Sequence, residues 1–450
     1  MNIPDLAIII LAAGKGTRMK SSKHKVLHTL GGKSMLQHLM DKTSLLKPLT
    51  KIIVVGAQKD QVEIAVNGQA DIIMQEPQLG TGHAVNITKE KLCDFKGNVL
   101  ILFGDVPLLS QVTMQKMIDN LNQTDADIVV LGFTPEDAKG YGRLKLNNKK
   151  GLEAIIEDKD ASNKDRSISL CNSGAMCIDG TIIFDLLSGL DNNNSVGEYY
   201  LTDIIKVANL RGLKCAVVEA KAEEVIGVNS RSDLAKAEAF FQEERRQHFM
   251  DEGVSLTDPA SVFFSYDTKI GKDVNIGPNV TFGIGVQISD DVTINPYCHI
   301  EGAIIGSGSS IGPFARLRPA VELGERVKVG NFVEIKKTKI GNDTKISHLS
   351  YIGDAKIGKN SNIGAGTITC NYDGYLKYQT VIGEGAFIGS NSALVAPVNI
   401  GAGAIVGAGS VITSIVEKNS LALSRVKQRE LGGWATKFRQ RKQHEIKIKE

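Results

Sequence analysis

No apolar run in this chain approaches the ~18 to 20 residues that a helix needs to cross a bilayer, which excludes a membrane-spanning reading. The start, Met1 to Leu6, carries Asp5 and no basic residue, so the apolar stretch Ala7 to Ala13 reads as a buried strand and not as a secretory signal. A cytoplasmic protein without membrane insertion is expected. The six cysteines (Cys93, Cys171, Cys177, Cys215, Cys298, Cys370) form no C-x-x-C pair, which argues against a zinc site and fits reduced, buried thiols. A formal charge of +3 is too small to point to nucleic acid. What is present is a soluble composition, 42% hydrophobic and 23% charged, spread over 450 residues. That length exceeds one ordinary core and implies two domains.

From Ala7 to about Val228 short apolar runs alternate with longer helical patterns. Ala7 to Leu11, Ile52 to Val55, Asp71 to Met74, Val99 to Phe103 and Ile128 to Gly132 read as strands. Such alternation predicts an α/β domain of the Rossmann-like kind, a doubly wound and mostly parallel sheet, over 1–229. Residues 230–250 hold no Gly or Pro after Ser230 and are rich in Ala, Glu, Gln and Arg, as a connecting helix requires.

Beyond it an aliphatic or aromatic residue followed by a small or turn-forming one recurs every six positions: Ile270-Gly271, Ile276-Gly277, Phe282-Gly283, Ile288-Ser289, Ile294-Asn295. The period resumes at Ile305-Gly306 and Ile311-Gly312, runs through Leu323-Gly324 and Val329-Gly330, shifts register, and continues at Ile340-Gly341, Ile346-Ser347 and Ile352-Gly353, then at Ile357-Gly358 and Ile363-Gly364. A last run leads from Ile382-Gly383 to Ile412-Thr413. Hexapeptides of this kind predict an all-β second domain over 251–426, a left-handed parallel β-helix in which three repeats make one triangular coil. The polar and aromatic interruption from Cys370 to Thr380 is expected to leave the prism as a loop, and such excursions are often functional. The tail 427–450 is rich in Lys and Arg and reads as a helical or partly disordered solvated face.

After the first strand, Leu11-Ala12-Ala13-Gly14-Lys15-Gly16-Thr17-Arg18-Met19 puts glycines and backbone N–H groups at a strand end, where phosphates bind. A dinucleotide fingerprint would need Gly where Met19 stands, and a Walker A loop ending at Gly32-Lys33-Ser34 would need Gly where Leu27 stands. A dehydrogenase and a P-loop kinase are both disfavoured. In Phe103-Gly104-Asp105-Val106-Pro107 an apolar strand ends in an aspartate, the place where α/β folds present metal ligands, so Asp105 is expected to hold Mg²⁺.

The series L-x-x-G-x-G-T-R-M followed by Lys25 resembles the opening of the nucleotide-sugar pyrophosphorylases. Further motifs are Gln75 with Leu79-Gly80-Thr81-Gly82-His83-Ala84, then Gly140-Tyr141-Gly142-Arg143, Ile156-Glu157, Asn172-Ser173-Gly174, Gly197-Glu198-Tyr199-Tyr200 and Gly227-Val228-Asn229. In that order they resemble the bacterial bifunctional N-acetylglucosamine-1-phosphate uridylyltransferase and glucosamine-1-phosphate N-acetyltransferase family. The resemblance runs from about Ala7 to Arg425. It implies that Ala12, Ala13, Gln75, Gly80 and Thr81, with Leu11, Gly14, Phe103 and Gly104, surround the nucleotide. It likewise implies that Gly142, Glu157 and Asn172 hold the N-acetylglucosamine, and that Asn229 completes a magnesium site with Asp105. Attack of a sugar 1-phosphate on the α-phosphorus of UTP needs cations against the phosphates, and Arg18 and Lys25 are the candidates. One departure stands out: His24 occupies the place before Lys25 where the family commonly has proline, which implies a looser loop.

In the second domain the resemblance assigns acyl transfer. His348, next to a hexapeptide bend, is the expected general base that takes a proton from the sugar amine as it attacks the thioester of acetyl-CoA, the co-substrate. Arg318, Lys336, Tyr351 and Asn362 match positions that hold glucosamine 1-phosphate, two cations for one dianion. Asn371 and Tyr372 from the interrupting loop match positions that orient the amine and the acetyl donor. Ala365, Ser390, Ala408 and Arg425 match a coenzyme A groove. The family assembles as a trimer through the prism, so a homotrimer feeding cell-envelope polysaccharides is implied. Two other readings stay open on residues alone: a single-activity pyrophosphorylase whose β-helix only oligomerises, and a non-catalytic scaffold.

Overall fold

The computed structural model of the chain describes residues 4–148, 151–194 and 196–449. Met1 to Ile3 of the amino-terminal stretch and Glu450 of the tail lie outside the described residues. The chain divides into two compact units. The first runs to Gln247 and takes in Phe264–Tyr266, and the second comprises His248–Phe263 and everything from Asp267 on.

The first unit is built on one mixed sheet. Its strands are β1 (Leu6–Ala12), β2 (Thr50–Val55), β3 (Asp71–Met74), β4 (Asn98–Phe103), β5 (Ile128–Phe133), β6 (Arg143–Leu146), β7 (Leu152–Ile156), β8 (Cys171–Asp179) and β9 (Cys215–Glu219). Their order across the sheet is β9-β5-β8-β4-β1-β2-β3, with β6 and β7 forming a hairpin off β8. β1 is buried on both faces: Ile8, Ile10 and Ala12 belong to one apolar layer, and Ala7, Ile9 and Leu11 to the other. A strand covered on two sides must be apolar throughout, which is why LAIIILA is an unbroken run. The five strands read from the sequence are all present. Along the main path of the sheet β8 is the exception to the parallel scheme, antiparallel to both β4 and β5, and the β6–β7 hairpin off it is antiparallel too.

The segment expected to connect the domains is helical from Arg231 to Asp251. Its Ala237 and Phe241 pack with Leu30, Met35, Leu108 and Val228 in a small separate cluster, and Glu238 accepts the Gly31 N–H at 2.9 Å.

In the second unit the hexapeptides wind a parallel β-helix. Three columns of stacked residues fill the prism. One runs Ile276, Ile294, Ile311, Val329, Ile346, Ile363, Ile388, Val406, paired in register from coil to coil. The bend glycines are steric necessities, since a Cβ on Gly330 would stand 1.8 Å from the Ser347 carbonyl of the next coil. The register shift falls inside one continuous strand, Glu334–Ile340, where Ile335 and Ile340 are both buried and Lys337 takes a left-handed φ of 46° to absorb the missing residue. One column contains a polar member: Thr369, fully buried, accepts the Gly353 N–H at 2.8 Å and donates to the Gly353 carbonyl at 3.1 Å. Immediately after it the chain leaves the prism between Cys370 and Thr380, as expected, and Tyr375 at the loop tip is 91% exposed. The tail forms an exposed helix, Trp434–Lys449.

The cysteine expectation needs correction. All six thiols are unpaired, but Cys93 is exposed, because it follows the short surface helix Lys89–Leu92, and Cys370 at the start of the excursion is only half-buried. Among the described residues no helix is long and apolar enough to cross a membrane.

Candidate active sites

The carboxyl ends of β1 and β4 open into a cavity of about 500 Å³. Leu11, Ala12, Ala13, Gly14, Lys25, Gln75, Gly80, Thr81, Phe103 and Asp105 all line it. The glycines of the turn after β1 are required: Gly16 has φ +60°, and a Cβ there would lie 2.8 Å from the Lys25 side chain. Gln75, almost wholly buried, donates to the Gly80 carbonyl at 2.9 Å and lies 3.1 Å from His83 Nδ1, which fixes the following loop.

Lys25 is the centre of the site. Its Nζ lies 2.5 Å from Asp105 Oδ2 and 3.1 Å from Asn229 Oδ1. Asp105 is placed by the end of β4, where Gly104 N–H donates to the Leu11 carbonyl. Asn229 is placed by the helix that starts at Arg231, whose Asp233 accepts the Asn229 and Ser230 N–H groups. An aspartate and an asparagine eighty or more residues apart from their shared lysine thus converge on one ammonium. Two oxygens that already hold a cation suit a hard divalent ion, so these residues fit Mg²⁺ in their chemistry. Among the described residues no group of three or more His, Cys, Asp or Glu side chains is placed to hold a metal ion.

His24 is held firmly where a looser loop was expected. It is buried, its Nδ1 accepts the Val26 N–H, and its own N–H donates to Gln61 at 2.8 Å. Burial, then the neighbouring Lys25 charge, pushes its pKa below the usual histidine value, so the acceptor nitrogen stays unprotonated. Arg18 stands apart: it is exposed on the single turn Thr17–Met19 and lines neither this cavity nor the one adjoining it.

A second cavity of about 500 Å³ shares Thr81, Phe103 and Glu198 with the first and adds Glu157, Asn172, Asp158 and Thr202. Asn172 begins a break in the β8 register that ends at Met176, and its Oδ1 accepts the Gly174 N–H at 3.0 Å. Bulges of this kind re-aim side chains at sites. Gly142 backs the cavity, with its carbonyl accepting from Asn172 N–H and its Cα facing Glu157. Burial raises the Glu157 pKa, opposed by the hydrogen bond that Thr202 Oγ1 donates at 3.0 Å. Sequence reasoning gave no role to Gln78, whose amide donates to the Ala13 carbonyl, or to Glu198, the acid common to both cavities. Glu198 stood within a quoted motif, which was the signal available.

In the second unit His348 ends the strand Lys345–His348 at a corner. Successive coils put Asn331, His348, Ala365, Ser390 and Ala408 in one column along that edge. The N–H after each of them donates to the residue one coil back: Leu349 to Asn331, Gly366 to His348, Asn391 to Ala365, Gly409 to Ser390. Arg425 closes the column by donating to the Ala408 carbonyl at 3.0 Å.

Arg318, Lys336 and Tyr351 gather on another face. Arg318 pairs with Glu334 at 2.9 Å and keeps a buried Nε without a partner. Lys336 lies beside Lys377 of the excursion, and that second ammonium pushes its pKa down, with Arg318 adding to the effect. Tyr351 Oη and Asn371 Nδ2 crowd over Gly353, where even a Cβ would lie 2.5 and 3.0 Å from them, and Asn371 also donates to Asp354. Tyr372 is exposed on the loop. Asn362 is not brought to this group: its strand belongs to the face of Lys345 and Phe387.

A nucleotide cradle at the edge of an α/β sheet, followed by a hexapeptide prism with a histidine at one corner and clustered cations on another face, defines a nucleotidyltransferase joined to an acyltransferase. Residues 8–162 match the MobA-like NTP transferase domain. Residues 285–319, 302–337, 337–370 and 379–414 match the bacterial transferase hexapeptide, and 267–295 match the hexapeptide repeat of succinyl-transferase. Over nearly the whole length the chain is similar to proteins named bifunctional protein GlmU. The one from Sphingopyxis alaskensis is 52% identical over 439 residues, 97% of each chain. Those from Paramagnetospirillum magneticum and Rhizorhabdus wittichii are 50% and 53% identical over 96% of each chain. This chain belongs to the GlmU family of bifunctional proteins, and it is an enzyme with a nucleotidyltransferase and an acetyltransferase activity.

Proposed function

We propose that residues 1–229 form the uridylyltransferase, 230–250 a linker helix, 251–426 the acetyltransferase and 427–450 a basic tail. The second site acts first in the reaction sequence. The amine of glucosamine 1-phosphate attacks the thioester carbonyl of acetyl-CoA, His348 takes the amine proton, the C–S bond breaks, and the coenzyme leaves as its thiol. Arg318 and Lys336 hold the phosphate, Tyr351, Asn371 and Tyr372 orient sugar and acetyl group, Asn362 reaches the sugar from the face of a second copy in the trimer, and Ala365, Ser390, Ala408 and Arg425 line the coenzyme groove.

A phosphate oxygen of the N-acetylglucosamine 1-phosphate so formed then attacks the α-phosphorus of UTP, and the bond to the β-phosphate breaks to release pyrophosphate. Leu11 to Gly14, Gln75, Gly80, Thr81, Phe103 and Gly104 hold the nucleotide, and Gly142, Glu157 and Asn172 hold the sugar. Lys25 offsets charge on the phosphates inside the cradle, and Arg18 does so from the exposed turn Thr17–Met19 outside it. Mg²⁺, held by Asp105 and Asn229, supplies charge neutralisation at the phosphates when bound.

The observation that carries this reading is the convergence of Asp105 and Asn229 on one cation at the mouth of the nucleotide cradle. The homotrimer is supported by an exposed apolar edge on the prism. There Tyr297, Phe314 and Phe332 stack with centroids 4.8 and 5.2 Å apart, an arrangement a second copy would cover. Cytoplasmic location follows from the substrates, UTP and acetyl-CoA.

The test separates the sites. Asp105→Ala is expected to lower pyrophosphate release by about 10² or more with thiol release intact. His348→Ala is expected to lower thiol release by about 10² to 10⁴ with pyrophosphate release from supplied N-acetylglucosamine 1-phosphate intact. Loss of both activities in either variant would contradict independent sites.

A further inference from the structure

Asn331, which has no role in the account so far, stands one coil before His348. Lys328–Asn331 and Lys345–His348 are parallel neighbours whose register sets Asn331 directly beside His348. The following residues, Phe332 and Leu349, both take left-handed φ values of 55° and 51°, so the two side chains leave the prism from equivalent corners. The backbone there is pinned. Leu349 N–H donates to the Asn331 carbonyl at 3.0 Å, and the His348 carbonyl accepts from Gly366 N–H at 3.3 Å and from Ser350 Oγ at 2.9 Å. Across this frame Asn331 Oδ1 lies 2.6 Å from His348 Nδ1.

A neutral imidazole carries one N–H and one lone pair, and an amide oxygen only accepts. Contact through Oδ1 therefore requires the proton on Nδ1 and leaves the lone pair on Nε2, the nitrogen that remains open. Rotating the amide by half a turn would offer N–H₂ to Nδ1, move the proton to Nε2 and leave the open nitrogen unable to accept. A general base needs its lone pair on the nitrogen that meets the substrate. The residue type matters as well. The strands stacked here, Lys328–Asn331, Lys345–His348 and Asn362–Ile363, carry Lys328 and Lys345 as their only charged groups besides the histidine, and no carboxylate. The next residue along the edge, Ala365, is apolar. A neutral amide orients the ring without bringing a charge to it.

We propose that Asn331 is a positioning residue of the acetyl-transfer site, its amide oxygen holding the His348 ring with Nδ1 protonated so that Nε2 accepts the amine proton. The inference rests on the reading of His348 as the base, and the test keeps the two apart. In the full-length enzyme, Asn331→Ala is expected to lower kcat for thiol release by about tenfold or more, a fraction of what general-base help supplies. KM for glucosamine 1-phosphate, and pyrophosphate release from supplied N-acetylglucosamine 1-phosphate at the other site, should stay unchanged. Asn331→Asp, which keeps the acceptor and adds a charge, is expected to restore much of kcat at high pH while moving the acid limb of the pH–rate profile upward. If His348→Ala abolishes thiol release but Asn331→Ala matches wild type in kcat and profile, the positioning role is wrong and the base reading survives. An Asn331→Asp profile with an unmoved acid limb would also overturn it, leaving a purely structural contact. If His348→Ala retains thiol release, the base reading itself falls.

Discussion

Lys25 and Asp105 come together because the turn after β1 and the end of β4 are adjacent on one sheet edge, and Asn229 joins them from the start of a helix. The same logic puts Glu157 in the sugar cavity at a cost. Burial holds its carboxyl above the usual carboxylate value in the folded chain. Between the ordinary value and the raised one the folded state binds more protons than the unfolded state, so stability falls as pH rises through that window. Glu157→Gln removes this dependence. Its melting temperature relative to wild type is expected to be higher at neutral pH than at pH about 4, while its KM for N-acetylglucosamine 1-phosphate rises. An unchanged KM would remove Glu157 from the sugar site. The cradle residues were legible in the sequence because glycines beside a strand end have few other uses. Glu198 and Gln78 were not, since a surface-type acid or amide in a loop acquires meaning only once its neighbours are known. Asn331 was invisible for a related reason: its partner lies one coil away, and nothing in either hexapeptide marks the pair.

Among elements, the prism shows how far a period carries. A six-residue repeat sets which residue stacks inward, so the three columns were readable, including the place of the register shift. The repeat gave no hint of Thr369 inside a column, because it was the aliphatic positions that defined the pattern. β8 escaped for the opposite reason. Its sequence CNSGAMCID lacks the β-branched run that marked the other strands, and its polar half forms the irregular stretch that carries Asn172. The columns make a direct stability prediction. Ile346→Ala is expected to cost roughly 2–5 kcal/mol in denaturant unfolding of the second unit. Gly330→Ala, which drives a Cβ into the Ser347 carbonyl, should destabilise the same unit even though it adds apolar surface. An Ile346→Ala change below 1 kcal/mol on the same principle would show the column to be loosely packed.

At the scale of the molecule, the division at Gln247, late in the helix Arg231–Asp251, separates two kinds of order, one built from alternating strands and helices and the other from stacked coils. Each unit carries its own site, and the product of the second is the substrate of the first. The central claim is that one chain performs both steps. The most direct measurement supplies purified wild-type protein with glucosamine 1-phosphate, acetyl-CoA, UTP and Mg²⁺, and follows thiol, pyrophosphate and nucleotide sugar together. The account predicts one thiol and one pyrophosphate for every UDP-N-acetylglucosamine formed. Pyrophosphate release from supplied N-acetylglucosamine 1-phosphate, with no thiol release under any condition, would contradict it and reduce the prism to an assembly element.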